Sequence, residues 1–194
     1  MRTIAAAVCL LAAGANAEAG WLTANGRAAQ SPRLMAFAGL RSAGLGYAYP
    51  ATSASGDLSF EGSWSYADRF AQLSATRRWQ LTRPGLASLC GVAGLAGYVV
   101  PEGGLDLGLG PHVGLFLALG GKTVSLHLGA LSGADLFARG FGRFTERIQL
   151  AVTSQLGRLT LVLVARTGVD LIPGHNFVVT ADVIVGAGLT LPGS

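Results

Sequence analysis

Apolar and mixed positions alternate along the C-terminal segment, residues 176–191. On one parity every residue is apolar, from Phe177 to Leu191, whereas the other parity mixes polar groups, glycine and aliphatics and includes Asp182. Because successive side chains of a β-strand point to opposite faces, this pattern predicts a long strand with one apolar face. The segment is longer than the ~9–11 residues with which a tilted strand crosses a bilayer.

The same alternation recurs along most of the chain. From Arg33 onward we identify nine candidate strands, each bounded by turn-forming residues. They cover residues 33–48, 57–66, 69–82, 86–100, 104–119, 122–131, 146–156, 158–169 and 175–191. An up-and-down barrel with both termini on one side needs an even number of strands. Either residues 20–28 supply a weak first strand, which gives ten, or one candidate is wrong, which gives eight; the connections slightly favour ten.

The N-terminus has the pattern of a secretory signal peptide. Met1-Arg2-Thr3 precedes an apolar run over residues 4–13, and Ala15-Asn16-Ala17 matches the small-residue cleavage motif. We therefore expect a signal peptide at residues 1–17 and one β-barrel domain at residues 18–194.

Charge content indicates which face of the strands meets lipid. Alternation alone fits both a soluble barrel with an apolar interior and a membrane barrel with an apolar exterior. Only 12% of the residues are charged, against ~25% in soluble domains. So few charges cannot cover the outside of a soluble barrel. The basic residues are scattered, so nucleic acid is not an expected partner.

Glycine and cysteine usage fits a narrow, exported barrel. The chain has 29 glycines, and many of them fall on the non-lipid parity, where a narrow lumen leaves little room for side chains. After the signal peptide one cysteine remains, Cys90, so no internal disulfide can form in the mature chain. Its apolar neighbours indicate a small packing residue rather than a nucleophile.

This pattern resembles the small outer-membrane β-barrels of Gram-negative bacteria. The resemblance covers about residues 20–191 and rests on pattern, with no family motif. It implies an all-β fold, a single antiparallel up-and-down transmembrane β-barrel of eight to ten strands, located in the outer membrane. It also implies tight turns at the periplasmic end, longer loops outside, and membrane lipid, lipopolysaccharide and the outer-membrane assembly machinery as partners. The chain departs from the group at its end, Leu189-Thr190-Leu191-Pro192-Gly193-Ser194, which lacks the usual terminal aromatic residue.

A helical membrane protein is the rival architecture. Residues 84–101 carry no charge, and Gly91, Gly94 and Gly97 resemble the small residues of packed membrane helices. The uninterrupted stretch is slightly short for a span, and the segment after it is broken by Pro111. A soluble periplasmic barrel that binds an apolar ligand is the other alternative.

Charged residues on the inward parity predict a lumen charge network. The predicted set comprises Asp57, Glu61, Arg78, Arg158, Arg166 and Asp182. The hairpin over residues 57–82 would place Asp57 opposite Arg78 and Glu61 opposite Ser74. The last hairpin would bring Arg158 within a residue or two of Asp182. An arginine facing lipid at mid-membrane costs ~2–4 kcal/mol, so we expect these charges to point inward and pair. Such pairs could plug the lumen or line a narrow polar path or ligand pocket.

Residues 132–145 form a long predicted connection, and the loop from Gly133 to Arg147 is rich in aromatic and basic side chains. The residues concerned are Phe137, Arg139, Phe141, Arg143, Phe144 and Arg147. Aromatic rings suit a membrane interface, and arginines can bind lipopolysaccharide phosphates. The alternative is an ordinary solvated loop with a short helical turn.

The sequence offers few candidate catalytic residues. Ser125 and His127 share the inward face of one strand, and some small outer-membrane barrels are lipid A deacylases or acyltransferases. No carboxylate can be assigned to orient the imidazole. The sequence carries no recognisable nucleotide, zinc or hydrolase motif, so no metal or cofactor is expected. The expected role is structural or adhesive, or that of a narrow pore, with a lipid-modifying enzyme as the alternative.

Overall fold

The computed structural model describes residues 27–51, 56–101, 105–121, 123–140, 142–171 and 177–192. The expected signal peptide lies outside the described residues. Of the weak strand considered at residues 20–28, only Arg27 and Ala28 are described, and neither lies in a strand.

The described chain forms a closed barrel of ten antiparallel strands, each paired with its neighbours in sequence, and β1 closes the ring against β10. The strands are β1 (Arg33–Gly39), β2 (Ser42–Pro50), β3 (Gly56–Ser65), β4 (Phe70–Gln80), β5 (Ala87–Val100), β6 (Asp106–Gly120), β7 (Val124–Phe137), β8 (Gly142–Leu156), β9 (Leu159–Leu171) and β10 (Val178–Thr190). The all-β, up-and-down architecture and the preferred count of ten are confirmed. The segment proposed for the helical alternative is strand β5, so that alternative is wrong.

The tenth strand arises where the sequence indicates a single one. The candidate over residues 33–48 is two strands, β1 and β2, with a reversal at Leu40-Arg41. Gly39 and Ser42 flank the reversal, and contacts from other strands hold it in place. The Leu40 N–H donates to the carbonyl of Val183, and the N–H groups of Tyr66 and Ala67 donate to the carbonyl of Arg41.

Connections are short at both ends of the barrel. We call the end where β1 begins and β10 ends the terminal mouth; its connections are residues 51–55, 81–86, 121–123 and 157–158. The connections of the opposite end, the far mouth, are residues 40–41, 66–69, 101–105, 138–141 and 172–177. The expected contrast between tight turns and long loops is wrong. The supposed loop over residues 132–145 consists mostly of the ends of β7 and β8.

The outer surface is a broad apolar band with aromatic residues near its edges. Leucine and valine side chains point outward along every strand from β4 to β10, and most are between two-fifths and three-quarters exposed. Tyr49 and Trp79 lie on this surface towards the terminal mouth, whereas Trp64, Tyr66 and Phe144 lie towards the far mouth. Amphipathic rings at both edges suit the two membrane–water interfaces. Among the described residues, no helix is long and apolar enough to cross a membrane.

Inward glycines make room for large inward side chains on adjacent strands. A Cβ at Gly129 would collide with the ring of Phe116, and one at Gly44 would collide with the ring of Phe37. A Cβ at Gly188 would press on Met35 in the same way. The glycine-rich parity of the sequence therefore corresponds to a lumen filled by the side chains of neighbouring strands.

Candidate functional site in the barrel lumen

Three buried arginine–aspartate pairs join strands β7 to β10 in the far half of the lumen. In the first, both Nε and Nη2 of Arg143 donate to Oδ2 of Asp135, at 2.9 and 2.6 Å. In the second, Nη2 of Arg147 donates to Oδ1 of Asp170. In the third, Nη2 of Arg166 lies 3.0 Å from Oδ2 of Asp182. Each pair joins adjacent strands, so closing the barrel brings the charges together.

Aromatic rings pack against the first of these pairs. The guanidinium carbon of Arg143 lies 5.3 Å from the ring centroid of Tyr98 and 5.6 Å from that of Phe137. Phe70 meets Tyr98 edge to face, at 6.0 Å between centroids. Guanidinium groups bind the electron-rich faces of aromatic rings. The far mouth is therefore closed by side chains of the strands themselves.

This arrangement corrects the interpretation of residues 133–147 as a lipopolysaccharide-contact loop. Arg143 and Arg147 are buried in the lumen, and Phe137 is buried beside them. Phe144 points outward, and Arg139 lies exposed in the turn after β7. Phe141 lies outside the described residues. The basic residues 143 and 147 share one parity of β8, which is the inward one, and this explains why they do not meet lipid.

The expected proximity of Arg158 and Asp182 is also wrong. Asp182 pairs in register with Arg166, whereas Arg158 lies in the exposed turn between β8 and β9, at the terminal mouth. The turn between β9 and β10 is centred about three residues later than the sequence indicates. That offset shifts the strand pairing by six residues, so a different arginine meets the aspartate.

The ion pair predicted between Asp57 and Arg78 lies at the terminal mouth. Asp57 stands opposite Arg78 in the pairing of β3 and β4, and Nε of Arg78 lies 3.3 Å from Oδ1 of Asp57. Both side chains are buried. Glu61 stands opposite Ser74 on the same pair of strands and is buried farther along the lumen.

Ser125 and His127 lie together on β7 and face the lumen. The Ser125 Oγ is 2.7 Å from Nε2 of His127, and Oγ1 of Thr153 is 2.9 Å from the same nitrogen. The hydroxyls of Ser125 and Thr153 also lie 2.7 Å apart. All of these groups point inward behind the terminal mouth, away from the lipid face on which a lipid substrate would lie. The cluster therefore fits internal polar packing better than acyl transfer.

Several polar residues of the strands were not identified from sequence. Asp135 and Asp170 have the inward parity of Phe137 and Arg166, so the alternation rule could have found both. His112 is a third case, since its Nε2 lies 2.9 Å from Oγ1 of Thr76 in the lumen. On the outer surface the Ser132 hydroxyl donates to Oε2 of Glu146 at 2.7 Å.

No candidate metal site is present in the part of the chain that the structure describes. Three or more histidine, cysteine or acidic side chains do not come together there in a group that could hold a metal ion. Cys90 is a free thiol, fully buried, with its Sγ 3.3 Å from Oε1 of Gln80.

Comparison with known proteins finds likeness in the fold alone. No family model matches the chain, and no curated protein is similar to it in sequence. Among solved structures the chain is similar to the KdgM porin, alone and in complex with disordered oligogalacturonate, at 10% identity and a TM-score of 0.43 in both cases. Each alignment covers 84% of this chain and 99% of the porin.

The closed barrel and its apolar outer surface are the architecture of small outer-membrane β-barrels. A spanning structure must satisfy every backbone polar group internally, and a closed barrel does so. The outward band of leucine and valine with aromatic edges is that of a bacterial outer-membrane protein. The chain is therefore an outer-membrane β-barrel.

Proposed function

We propose that this barrel has a structural role in the outer membrane, with a lumen that side chains keep closed to ions. The observation that carries the proposal is the packing between the two mouths. Phe116 has no exposed surface, and Ile184 and Val164 are each 1% exposed. In a water-filled pore the inward side chains would be wet, whereas these belong to buried apolar clusters inside the barrel, one on β8 to β10 and β1 and the other on β5 to β7.

The connections support a structural role more than an adhesive one. Those of the far mouth run from two to six residues, so little loop surface is available outside the membrane to bind a partner. The buried ion pairs add to the closure, because charges paired with one another do not offer a free path to a permeating ion.

Conductance in planar lipid bilayers tests the proposal. The folded wild-type barrel, checked by its heat-dependent migration on a denaturing gel, should insert without producing channel steps. A matched variant with Phe116→Ala and Met35→Ala removes two of the large apolar side chains from the lumen and serves as the opened control. Its conductance should exceed that of the wild type.

Stable single-channel steps from the wild type would contradict the closed lumen and support a narrow pore instead. Recovery of the protein from the soluble periplasm would contradict membrane insertion itself. These two outcomes are separable, because fractionation is measured in cells and conductance on purified barrel.

A further inference from the structure

A short segment that precedes β1 crosses the terminal mouth. Residues 27–32 lie outside the barrel wall, apart from a hydrogen bond in which the Leu191 N–H donates to the carbonyl of Pro32 at 2.8 Å. The segment runs from β1 towards β3 and β4, and the side chain of Arg27 continues to the turns that flank β5 and β6. In a ring of ten strands β1 and β6 are opposite, so these contacts span the width of the mouth.

Arg27 anchors the outer end of this segment on backbone carbonyls. Its Nη1 donates to the carbonyl of Gly121 at 2.7 Å, and its Nη2 donates to the carbonyls of Gly85 and Gly120, at 2.8 Å for Gly85. A planar guanidinium with several donors is suited to hold two turns at once. A lysine would offer a single ammonium at this place.

The backbone of the segment is held by polar side chains of the wall. The Ala29 N–H donates to Oδ2 of Asp57 at 2.5 Å, and the Ala28 N–H donates to Oε1 of Gln80 at 3.2 Å. In return, Nη1 of Arg78 donates to the carbonyl of Arg27 at 2.9 Å. The segment is thus attached by separate polar contacts rather than by a strand ladder.

We propose that residues 27–32 form a strap that seals the terminal mouth, that Arg27 is its latch, and that the strap opens while the barrel stays folded. The barrel wall is complete without the strap, because β1 is already paired with β10 and β2. Elements held by few contacts open locally at a lower free energy than the core. Opening would give the aqueous side access to the polar groups behind the strap.

Cys90 reports directly on this opening. It lies on β5 beneath the strap, and Gln80 connects the two, since its Oε1 contacts both the Ala28 N–H and the Cys90 Sγ. A thiol that is fully buried reacts with a water-soluble reagent only when its cover moves. The rate of its modification therefore measures how often the strap is open.

The experiment measures labelling of Cys90 by a small cationic methanethiosulfonate in the folded barrel, reconstituted in phosphatidylcholine vesicles, without denaturant. Arg27→Gln removes the charge and most of the donors, and we expect it to raise the labelling rate at least about tenfold, with Arg27→Lys in between. Ala29→Pro removes a single backbone N–H from the same contact set and should raise the rate by a smaller factor. This second variant keeps the test decisive if Arg27→Gln does not fold.

The matched control is a buried reporter at the far mouth. In a Cys90→Ser background, Thr145→Cys places a thiol on β8 among the far ion pairs, and Arg27→Gln should leave its labelling rate unchanged. Equal Cys90 rates in the wild type and in both strap variants would overturn the strap. A parallel rise at position 145 would also overturn it, since it would show loosening of the whole barrel.

Discussion

The two mouths of the barrel are closed by different means. At the far mouth the closing groups belong to the strands: Arg143 pairs with Asp135 across β7 and β8, and the rings of Tyr98 and Phe137 pack on the guanidinium. At the terminal mouth the closing groups belong to a segment outside the wall, and the ion pair Asp57–Arg78 also binds that segment.

The two buried arginines differ in whether they bind groups of the strands or groups of the strap. Arg143 donates twice to Asp135, a side chain of the neighbouring strand, and packs on the rings of Tyr98 and Phe137, which also belong to strands. Arg78 already donates to a backbone carbonyl of the strap in addition to facing Asp57. The far mouth can therefore open only if the strands that form the barrel separate, whereas the terminal mouth can open while the barrel stays folded.

The largest expected effect is at the far mouth. Asp135→Asn removes the carboxylate that accepts two hydrogen bonds from the buried Arg143, and breaking a buried pair in this way costs about 3–5 kcal/mol. Urea unfolding of the barrel in detergent would measure the loss of unfolding free energy. The folded and unfolded forms are distinguished by their migration on a gel. The control is Arg41→Gln, because Arg41 is 30% exposed where it meets Asp68 and the loss should stay below about 1 kcal/mol.

Replacement of both partners separates charge from packing. Asp135→Leu together with Arg143→Leu removes both charges, and we expect its stability to lie much closer to that of the wild type than that of Asp135→Asn does. A double variant as unstable as the single one would show that the pair is needed for shape and not for charge balance.

A smaller loss is expected at the terminal mouth. Asp57→Asn removes the charge opposite Arg78, but the guanidinium keeps the carbonyl of Arg27, so the loss should be about 1.5–3 kcal/mol, in the range of a hydrogen bond to a charged group. The same unfolding assay measures it. A loss as large as that of Asp135→Asn would remove the contrast between the two mouths.

The strands of the barrel wall could be predicted from the sequence because lipid-facing and lumen-facing side chains alternate along each of them. The lipid-facing positions are mostly apolar whatever the partner strand, so Leu126 or Leu161 can be assigned without knowing the register. The reversal at Leu40-Arg41 was missed because its stability comes from Val183 and Tyr66, which are distant in sequence.

The lumen was less predictable because it depends on register. Asp182 has an arginine partner in either register, and only the true centre of the last turn decides between Arg158 and Arg166. The strap could not be predicted from the sequence. Arg27 binds backbone carbonyls, which every residue has, so no side-chain pattern indicates these contacts.

The smallest expected effect is in the packed region that separates the two mouths. Gly129→Ala would push a methyl group into the ring of Phe116, and overpacking of this kind costs about 1–3 kcal/mol. Gly97→Ala is the matched control, because it lies on the lipid-facing side of β5 and the nearest atoms to its new methyl are carbonyl oxygens 3.9 Å away. Urea unfolding should show a loss for the first variant and little change for the second.

A compensating change identifies the cause of that loss. Phe116→Leu shortens the side chain that meets the new methyl, so adding it to Gly129→Ala should recover part of the lost stability. The combination should still not conduct ions, because Leu131 and Val92 remain packed at the same level. If Gly129→Ala costs no more than Gly97→Ala, the inward glycines are not filled by their neighbours, and the two mouths would open into a common space rather than into compartments divided by a packed layer.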